Sequence, residues 1–285
     1  MTLIIGIKCS DGFVIGADGA ATYAASGGTM TIRQAFKKKI RMVSNQGIVA
    51  TSGAVGIAQR IWGQICDVQH SSKIFIAGSP TKPASEKPLA QAKTHEVMAY
   101  LRQIIWETIG RELDIARSAA QSIGAQAYSA ASSSTIVCLM AGGKPCMIQF
   151  DQQGSPEEVN EDLPFVAIGS GQIIADPFLA FLRRIYWPHA LPDIQEGIFT
   201  AAWALNHTIQ TNPGGVGFPL QIITFKQIEE TDAKGIKSKN WRTEEVPEAA
   251  WQEHLQASEG IEKMMASHRI EQRTAGIPPI PRPPA

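Results

Sequence analysis

The stretch that decides the fold is Thr2-Leu3-Ile4-Ile5-Gly6-Ile7-Lys8-Cys9-Ser10-Asp11-Gly12-Phe13-Val14-Ile15-Gly16-Ala17-Asp18-Gly19. It reads as strand, Asp-Gly turn, strand and then an acid, a hairpin over 2–9 and 12–18. Chain ends are ordinarily polar and frayed, so an apolar run from residue 2 onward places this one inside a sheet. A threonine there has a particular option. Removal of Met1 puts a hydroxyl and a free α-amine on one residue, and an α-amine titrates near ~7.7–8.0, so part of it is an unprotonated base at neutral pH. A Thr hydroxyl activated by its own amine is a nucleophile.

Outward from the hairpin, residues 19–36 are small and polar, and a loop with a short hairpin around Gly27-Gly28 is expected. Lys37, Lys38 and Lys39 precede the apolar Ile40–Val43, and Asn45-Gln46-Gly47 turns the chain into Ile48–Gly53, a second antiparallel hairpin. Ala54, Ile57, Ala58, Ile61 and Ile65 recur at helical spacing and predict a helix to about residue 68. Residues 70–90, with Pro80, Pro83 and Pro88, read as an insertion loop, and a helix is expected over about 90–121. Strands return at 134–140 and 145–150 around Gly142-Gly143, and at 165–168 before Gly169-Ser170-Gly171. Two helices, 171–187 and 193–211, and a closing strand at 219–225 complete the pattern. This order predicts an α+β fold, a four-layer αββα sandwich of two antiparallel sheets between helix pairs. The expected division is a body over 1–226 and a C-terminal extension over 227–285. The extension would hold a weakly amphipathic helix at 246–272 and a proline-rich tail at 277–285 that favours polyproline II.

Composition bounds the function. The 285 residues are 44% apolar and 18% charged with no formal net charge, which gives no general attraction to nucleic acid or membrane surfaces. No apolar run reaches the ~18 residues of a spanning helix. The start of the chain has no basic leader, and the four scattered cysteines read as buried reduced thiols, so a cytoplasmic location is expected. No metal-ligand spacing is present, and no cofactor or metal is expected.

Chemistry at Thr2 needs a cation to lower the pKa of its nucleophile, a carboxylate to hold the cation, and N–H groups to receive an oxyanion. Asp18 ends the strand that lies beside the start of the first. Lys39 enters an apolar strand, where solvation explains a lysine poorly; its neighbour Lys38 is the alternative partner. Gly53 stands at a strand-to-helix junction, where amides attract anions. Ser170 precedes a helix and could equally be its cap.

These residues together resemble the proteasome β-type subunits, of the N-terminal nucleophile hydrolase (Ntn-hydrolase) superfamily. The resemblance rests on the opening hairpin with Ala17-Asp18, Lys38-Lys39-Ile40, Ala50-Thr51-Ser52-Gly53 and Ile168-Gly169-Ser170-Gly171. It covers roughly 2–226. The long C-terminal extension and Gly217-Phe218-Pro219-Leu220 are most like the bacterial proteasome homologues outside the actinobacterial proteasomes. The resemblance implies a threonine endopeptidase in a self-compartmentalising homo-oligomer, a stacked double ring that takes peptides or unfolded protein, with an unfoldase as a further partner. It assigns Thr2 as nucleophile, Lys39 and Asp18 as its supporting pair, Ser170 as a proton relay and Gly53 as oxyanion donor. Ala21, Thr22 and Gly53 would hold substrate as an added strand, with Thr51 and Val55 lining the pocket before the cut. The pattern also calls for an acid and a serine ahead of the last strand, where this chain has Asn212 and Gly215. Asn212 can hydrogen-bond toward the Thr2 amine but brings no charge. A small-molecule amidase and an inactive ring scaffold are the alternative readings.

Overall fold

A computed structural model of the chain describes residues 2–24, 30–33, 38–43, 45–76, 84–123, 133–212, 215–231 and 237–274; for 21–24, 30–33, 119–123, 230–231 and 269–274 it describes the backbone only. The opening hairpin is strands β1 (Ile4–Cys9) and β2 (Gly12–Ala17). A small pair follows, β3 (Ala21–Ala24) with β4 (Met30–Arg33), then β5 (Ile40–Met42), β6 (Ile48–Gly53) and helix α1 (Val55–Ser71). The expected hairpin around Gly27-Gly28 is thus present in its strands, while those two glycines lie outside the described residues. Next come β7 (Lys73–Ile76), β8 (Ser85–Pro88), α2 (Thr94–Ile123), β9 (Ser133–Ala141), β10 (Lys144–Phe150), β11 (Pro156–Glu158) and β12 (Phe165–Ile168). Helices α3 (Gln172–Tyr186) and α4 (Ile194–Thr211), strands β13 (Gln221–Thr231) and β14 (Lys237–Glu245), and helix α5 (Glu248–Thr274) complete the order.

The architecture is α+β with two five-stranded antiparallel sheets, ordered β12-β1-β2-β13-β14 and β11-β10-β9-β6-β5. Alternation along β1 explains how the first is filled. Leu3, Ile5, Ile7 and Cys9 join a cluster with Ala175 and Leu179 of α3, Ala201 and Leu205 of α4, and Trp251 of α5. Ile4 instead joins Phe13, Ile15 and Phe225 of its own sheet to Ile48, Ile136 and Met147 of the other. The outer face of the second sheet, through Val49, Val137, Ile148 and Phe150, packs on Ile57 and Ile61 of α1 and Leu101 and Ile105 of α2.

Helix α4 starts where the sequence dictates. Asp193 accepts from the Glu196 amide at 2.8 Å and Glu196 accepts from the Asp193 amide at 3.0 Å, a capping box. Asp11, in the turn of the first hairpin, accepts from the Ile194 amide at 3.0 Å and ties that turn to the helix.

Two segments differ from expectation. The insertion at 70–90 is not only loop: β7 and β8 pair antiparallel, with Pro88 at the outer end of β8, where a missing N–H is tolerated. Position 226 lies inside β13, and the polar residues after it continue the sheet as β14, while α5 seats Trp251, 5% exposed, against the first sheet's helices. The proline-rich tail lies outside the described residues.

Candidate active site at the start of β1

The antiparallel register gathers distant parts of the chain at one end of the first sheet. Ile4 stands opposite Ala17 on one side and Ile168 on the other. The residues just before Ile4 therefore lie between Asp18 and Gly169-Ser170. Gln221 opposite Ala17 brings the start of β13 to the same end.

Asp18 is the hub. Its carboxylate is fully buried and accepts from the backbone amides of Leu3 at 2.8 Å, Ala20 at 3.1 Å and Gly217 at 3.2 Å. Lys39 adds its Nζ at 2.5 Å, with only 9% of its side chain exposed. The neighbouring Lys38 goes elsewhere, to Glu245 at 2.9 Å in an exposed pair. Of the two candidate lysines, the one joined to Asp18 is Lys39. Burial pushes the Lys39 ammonium below its usual 10.5, and the Asp18 charge and hydrogen bond act against that push. Two charges taken out of water cost more than their attraction returns in many proteins, so packing alone gives little reason for such a pair here.

Thr2 is held by its backbone. Its N–H donates to Ser170 Oγ at 3.1 Å, and its carbonyl accepts from the Gly171 amide at 3.2 Å and lies 3.5 Å from Ser170 Oγ. Ser170 does not cap α3; that position is Gly171, without a side-chain cap. Gly169 permits the approach. Its φ is +96°, and a Cβ there would stand 2.2 Å from the Thr2 carbonyl oxygen. Gly169→Ala should therefore destabilise the protein by about 1–3 kcal/mol of backbone strain and displace Thr2; urea denaturation measures the first effect and loss of Thr2 reactivity the second.

The other expected residues fall as follows. Gly53 ends β6 with φ +115°, and Ala54 rather than Gly53 is the N-cap of α1, so the Gly53 amide lies one residue ahead of the cap and two ahead of Val55, where the helix starts. Thr51 Oγ1 lies 3.3 Å from Thr135 Oγ1 on the adjoining strand. Val55 is 37% exposed at the start of α1. Ala21 and Thr22 are in β3, whose side chains lie outside the described ones. Asn212 caps the C-terminus of α4, and its backbone N–H donates to the Thr208 carbonyl of its own helix at 2.9 Å. Gly215 is buried. Sequence reasoning missed Leu3, Ala20 and Gly217 as amide donors to Asp18, and Gly169 as the residue that admits Thr2. The signal for Gly169 was present in Gly169-Ser170-Gly171; backbone donors leave no signal in residue type. Among the described residues no group of three or more His, Cys, Asp or Glu could hold a metal, and no helix is long and apolar enough to cross a membrane.

The fold and this end of the sheet define an α+β protein with a threonine, a lysine–aspartate pair and a Gly-Ser-Gly turn brought together. No protein-family model matches the sequence, and no curated protein matches it. Solved structures do. The helical assembly of the Anbu complex from Pseudomonas aeruginosa is similar over 99% of this chain and 98% of that one, at 17% identity and TM-score 0.59. Anbu (ancestral beta-subunit) from Yersinia bercovieri gives 14% identity and TM-score 0.58, with 93% and 96% covered. Anbu from Hyphomicrobium sp. strain MC1 gives 16% and 0.55, with 93% and 97% covered. At these identities the likeness is one of fold. It corrects the resemblance to proteasome β-type subunits: these three structures are ancestral β-subunits, proteasome-like but distinct. The motifs behind the earlier resemblance ended near residue 226, whereas the match to the Pseudomonas aeruginosa protein spans 99% of the chain.

Proposed function

We propose that this protein is a threonine-type endopeptidase of the N-terminal nucleophile kind, carried by a four-layer αββα core and acting in a self-assembled complex. The observation that carries the reading is the buried Lys39–Asp18 pair fixed to the backbone beside Thr2. Three hydrophobic clusters support the layer order: one between helices and the first sheet, one joining both sheets, and one between the second sheet and the other helices. In this reading residues 1–226 carry the chemistry and 227–285 form a C-terminal extension.

Once Met1 is removed, the Thr2 amine takes the proton of its own hydroxyl as Oγ1 attacks the peptide carbonyl. The Lys39 ammonium stabilises the developing alkoxide, and Asp18 holds Lys39 in place. The Gly53 N–H receives the oxyanion, and Ser170, already bonded to the Thr2 nitrogen, relays the proton to the leaving amine. Water then cleaves the Thr2 ester. Ala21, Thr22 and Gly53 align the substrate as an added strand, with Thr51 and Val55 beside its side chain. Asn212 supplies a neutral group toward the amine, which leaves the amine less basic than an acid at that place would make it.

The test is treatment of Met1-trimmed protein with a peptide epoxyketone or β-lactone, read by intact mass. A Thr2 adduct is expected, and its absence rejects the reading. Asn212, without charge where the pattern calls for an acid, favours the second reading of an inactive scaffold. Met1 retained in the protein isolated from its host would support that scaffold.

The pH profile carries a further expectation. Activity that needs charged Lys39 falls as that ammonium loses its proton, and burial moves the loss below the ordinary 10.5. Asp18 raises this pKa, so Asp18→Asn moves the alkaline limb further toward acid. An unmoved limb in the stopped-time inactivation rate would remove Lys39 from the mechanism.

The Pseudomonas aeruginosa neighbour assembles helically. A head-to-tail contact closes into a ring or runs on as a helix according to its rotation. Native mass distinguishes a stacked double ring from an open helix, and either from the small oligomer of an amidase. Unfolded protein delivered by an unfoldase is the substrate expected of an enclosed complex.

A further inference from the structure

Lys39 sits at a mechanically weak place. It precedes β5, a three-residue strand at the edge of the second sheet, whose only ladder partner among the described residues is β6. Asp18 belongs to the other sheet. Something must fix the start of β5 against the end of β2, because the ion pair spans two sheets that share no backbone ladder among the described residues.

Gln221 bridges that gap. It is the first residue of β13, opposite Ala17 and so one step from Asp18, and only 7% exposed. Its Oε1 accepts from the Ile40 amide at 3.1 Å, and its Nε2 donates to the Ile40 carbonyl at 3.0 Å. In an antiparallel ladder a residue's N–H and C=O point to the same side. Both groups of Ile40 therefore face away from β6, and the Gln221 amide takes the place of the missing strand. The amide it grips is the one that follows Lys39 in the chain.

We propose that Gln221 is a positioning residue for the Lys39–Asp18 pair, an amide bracket between the two sheets that sets where the lysine stands at Thr2. This rests on the threonine-peptidase reading for its kinetic consequences, while the bracket itself is testable without it. Gln is suited to the task because one side-chain amide offers a donor and an acceptor at the spacing a peptide group presents. Leucine fills the volume and offers neither. Glutamic acid offers both while protonated and only acceptors once ionised.

The experiment uses the full chain with Met1 removed and compares Gln221→Leu and Gln221→Glu with wild type. Two measurements are made: the rate of Thr2 adduct formation with a peptide epoxyketone across pH, and the rate of reductive methylation of Lys39 read by mass spectrometry. Displacement of a catalytic group by about 1 Å lowers rates by up to ~100-fold. Gln221→Leu should slow the inactivation step 10- to ~100-fold at saturating epoxyketone while the half-saturating concentration stays within about twofold. Released toward water, Lys39 regains the basicity that burial removed, so the alkaline limb moves up in pH. A variant that merely unfolds a fraction of the molecules lowers the rate equally at every pH. Methylation of Lys39 should rise by on the order of tenfold relative to exposed Lys144 as the site opens. For Gln221→Glu the rate relative to wild type should be near one at acid pH and fall as the carboxyl ionises. Lys38, Arg41 and Glu245 line the same cleft of about 390 Å³ as Gln221; like Asp18, they are unchanged in each variant and cancel in that ratio.

Unchanged Lys39 methylation together with an unshifted limb overturns the bracket. If wild type itself forms no adduct, the peptidase reading fails, and Lys39 methylation alone decides the bracket. If Gln221→Leu does not fold, Gln221→Glu decides: a ratio flat across pH overturns the proposal.

Discussion

Thr2→Ala on Met1-trimmed protein should abolish adduct formation and lower peptide turnover by at least about 10³-fold, the scale on which loss of a nucleophile is felt when the rest of a catalytic site remains. The fold should survive. Two backbone anchors of Thr2, its N–H on Ser170 Oγ and its carbonyl under the Gly171 amide, are kept by alanine. Thermal midpoints of the two proteins should therefore agree within a few degrees, and Thr2→Ser, which keeps a hydroxyl, should retain measurable turnover. Loss of less than about tenfold in Thr2→Ala would move the nucleophile elsewhere.

Asp18→Ala should have the largest effect on stability. The substitution strips partners from three backbone amides, those of Leu3, Ala20 and Gly217, and leaves the Lys39 ammonium buried without its anion. Breaking a buried pair by removing one partner costs about 3–5 kcal/mol, and each unsatisfied amide adds to that. For a chain of this size each kcal/mol moves the midpoint by roughly 2–4 °C, so a fall on the order of 10 °C is expected in a thermal melt, with activity lost as well. Lys39→Met separates the two effects. It also breaks the pair but leaves Asp18 with its three amides, so the cost of stripping those amides is absent and the fall in stability should be smaller than in Asp18→Ala while adduct formation is lost. If Lys39→Met were as destabilised as Asp18→Ala, the pair would be acting as a structural clamp.

The opening hairpin was legible because every cue agrees: apolar residues throughout, Asp-Gly at the turn and an acid at the end. Pairing of Asp18 with Lys39 was legible as well from the entry of Lys39 into an apolar strand, with Lys38 left as the alternative. Lys38 and Lys39 are identical in type and adjacent, and they differ in the direction each takes from the start of β5, one to Glu245 and the other to Asp18. That direction is fixed by contacts far away in sequence, with Gln221 among them. Residues 227–245 read as polar extension because β14 is an edge strand whose side chains are mostly exposed, so no apolar alternation marks it. The β7–β8 pair was hidden by its prolines, which mark breaks in a central strand but are tolerated in so short and exposed a pair. Asn212 was judged by its place in the chain, and the structure ties its N–H to the last turn of α4.

The alternation in β1 carries a consequence for how such a chain can change over generations. Leu3, Ile5, Ile7 and Cys9 are committed to the helix-covered face, and Ile4 to the face shared by the two sheets, where Gly6 leaves room for Met147. Losing one codon between Thr2 and the turn at Ser10-Asp11 would exchange the two faces for the residues on the Thr2 side of the loss and send those side chains into the wrong cluster. Insertions and deletions in this stretch are therefore admissible only in pairs of residues. Each such pair would shift Thr2 by about 7 Å along the strand, beyond the reach of Asp18 and Ser170. The nine residues from Leu3 to Asp11 have a length that can neither drift nor be tuned.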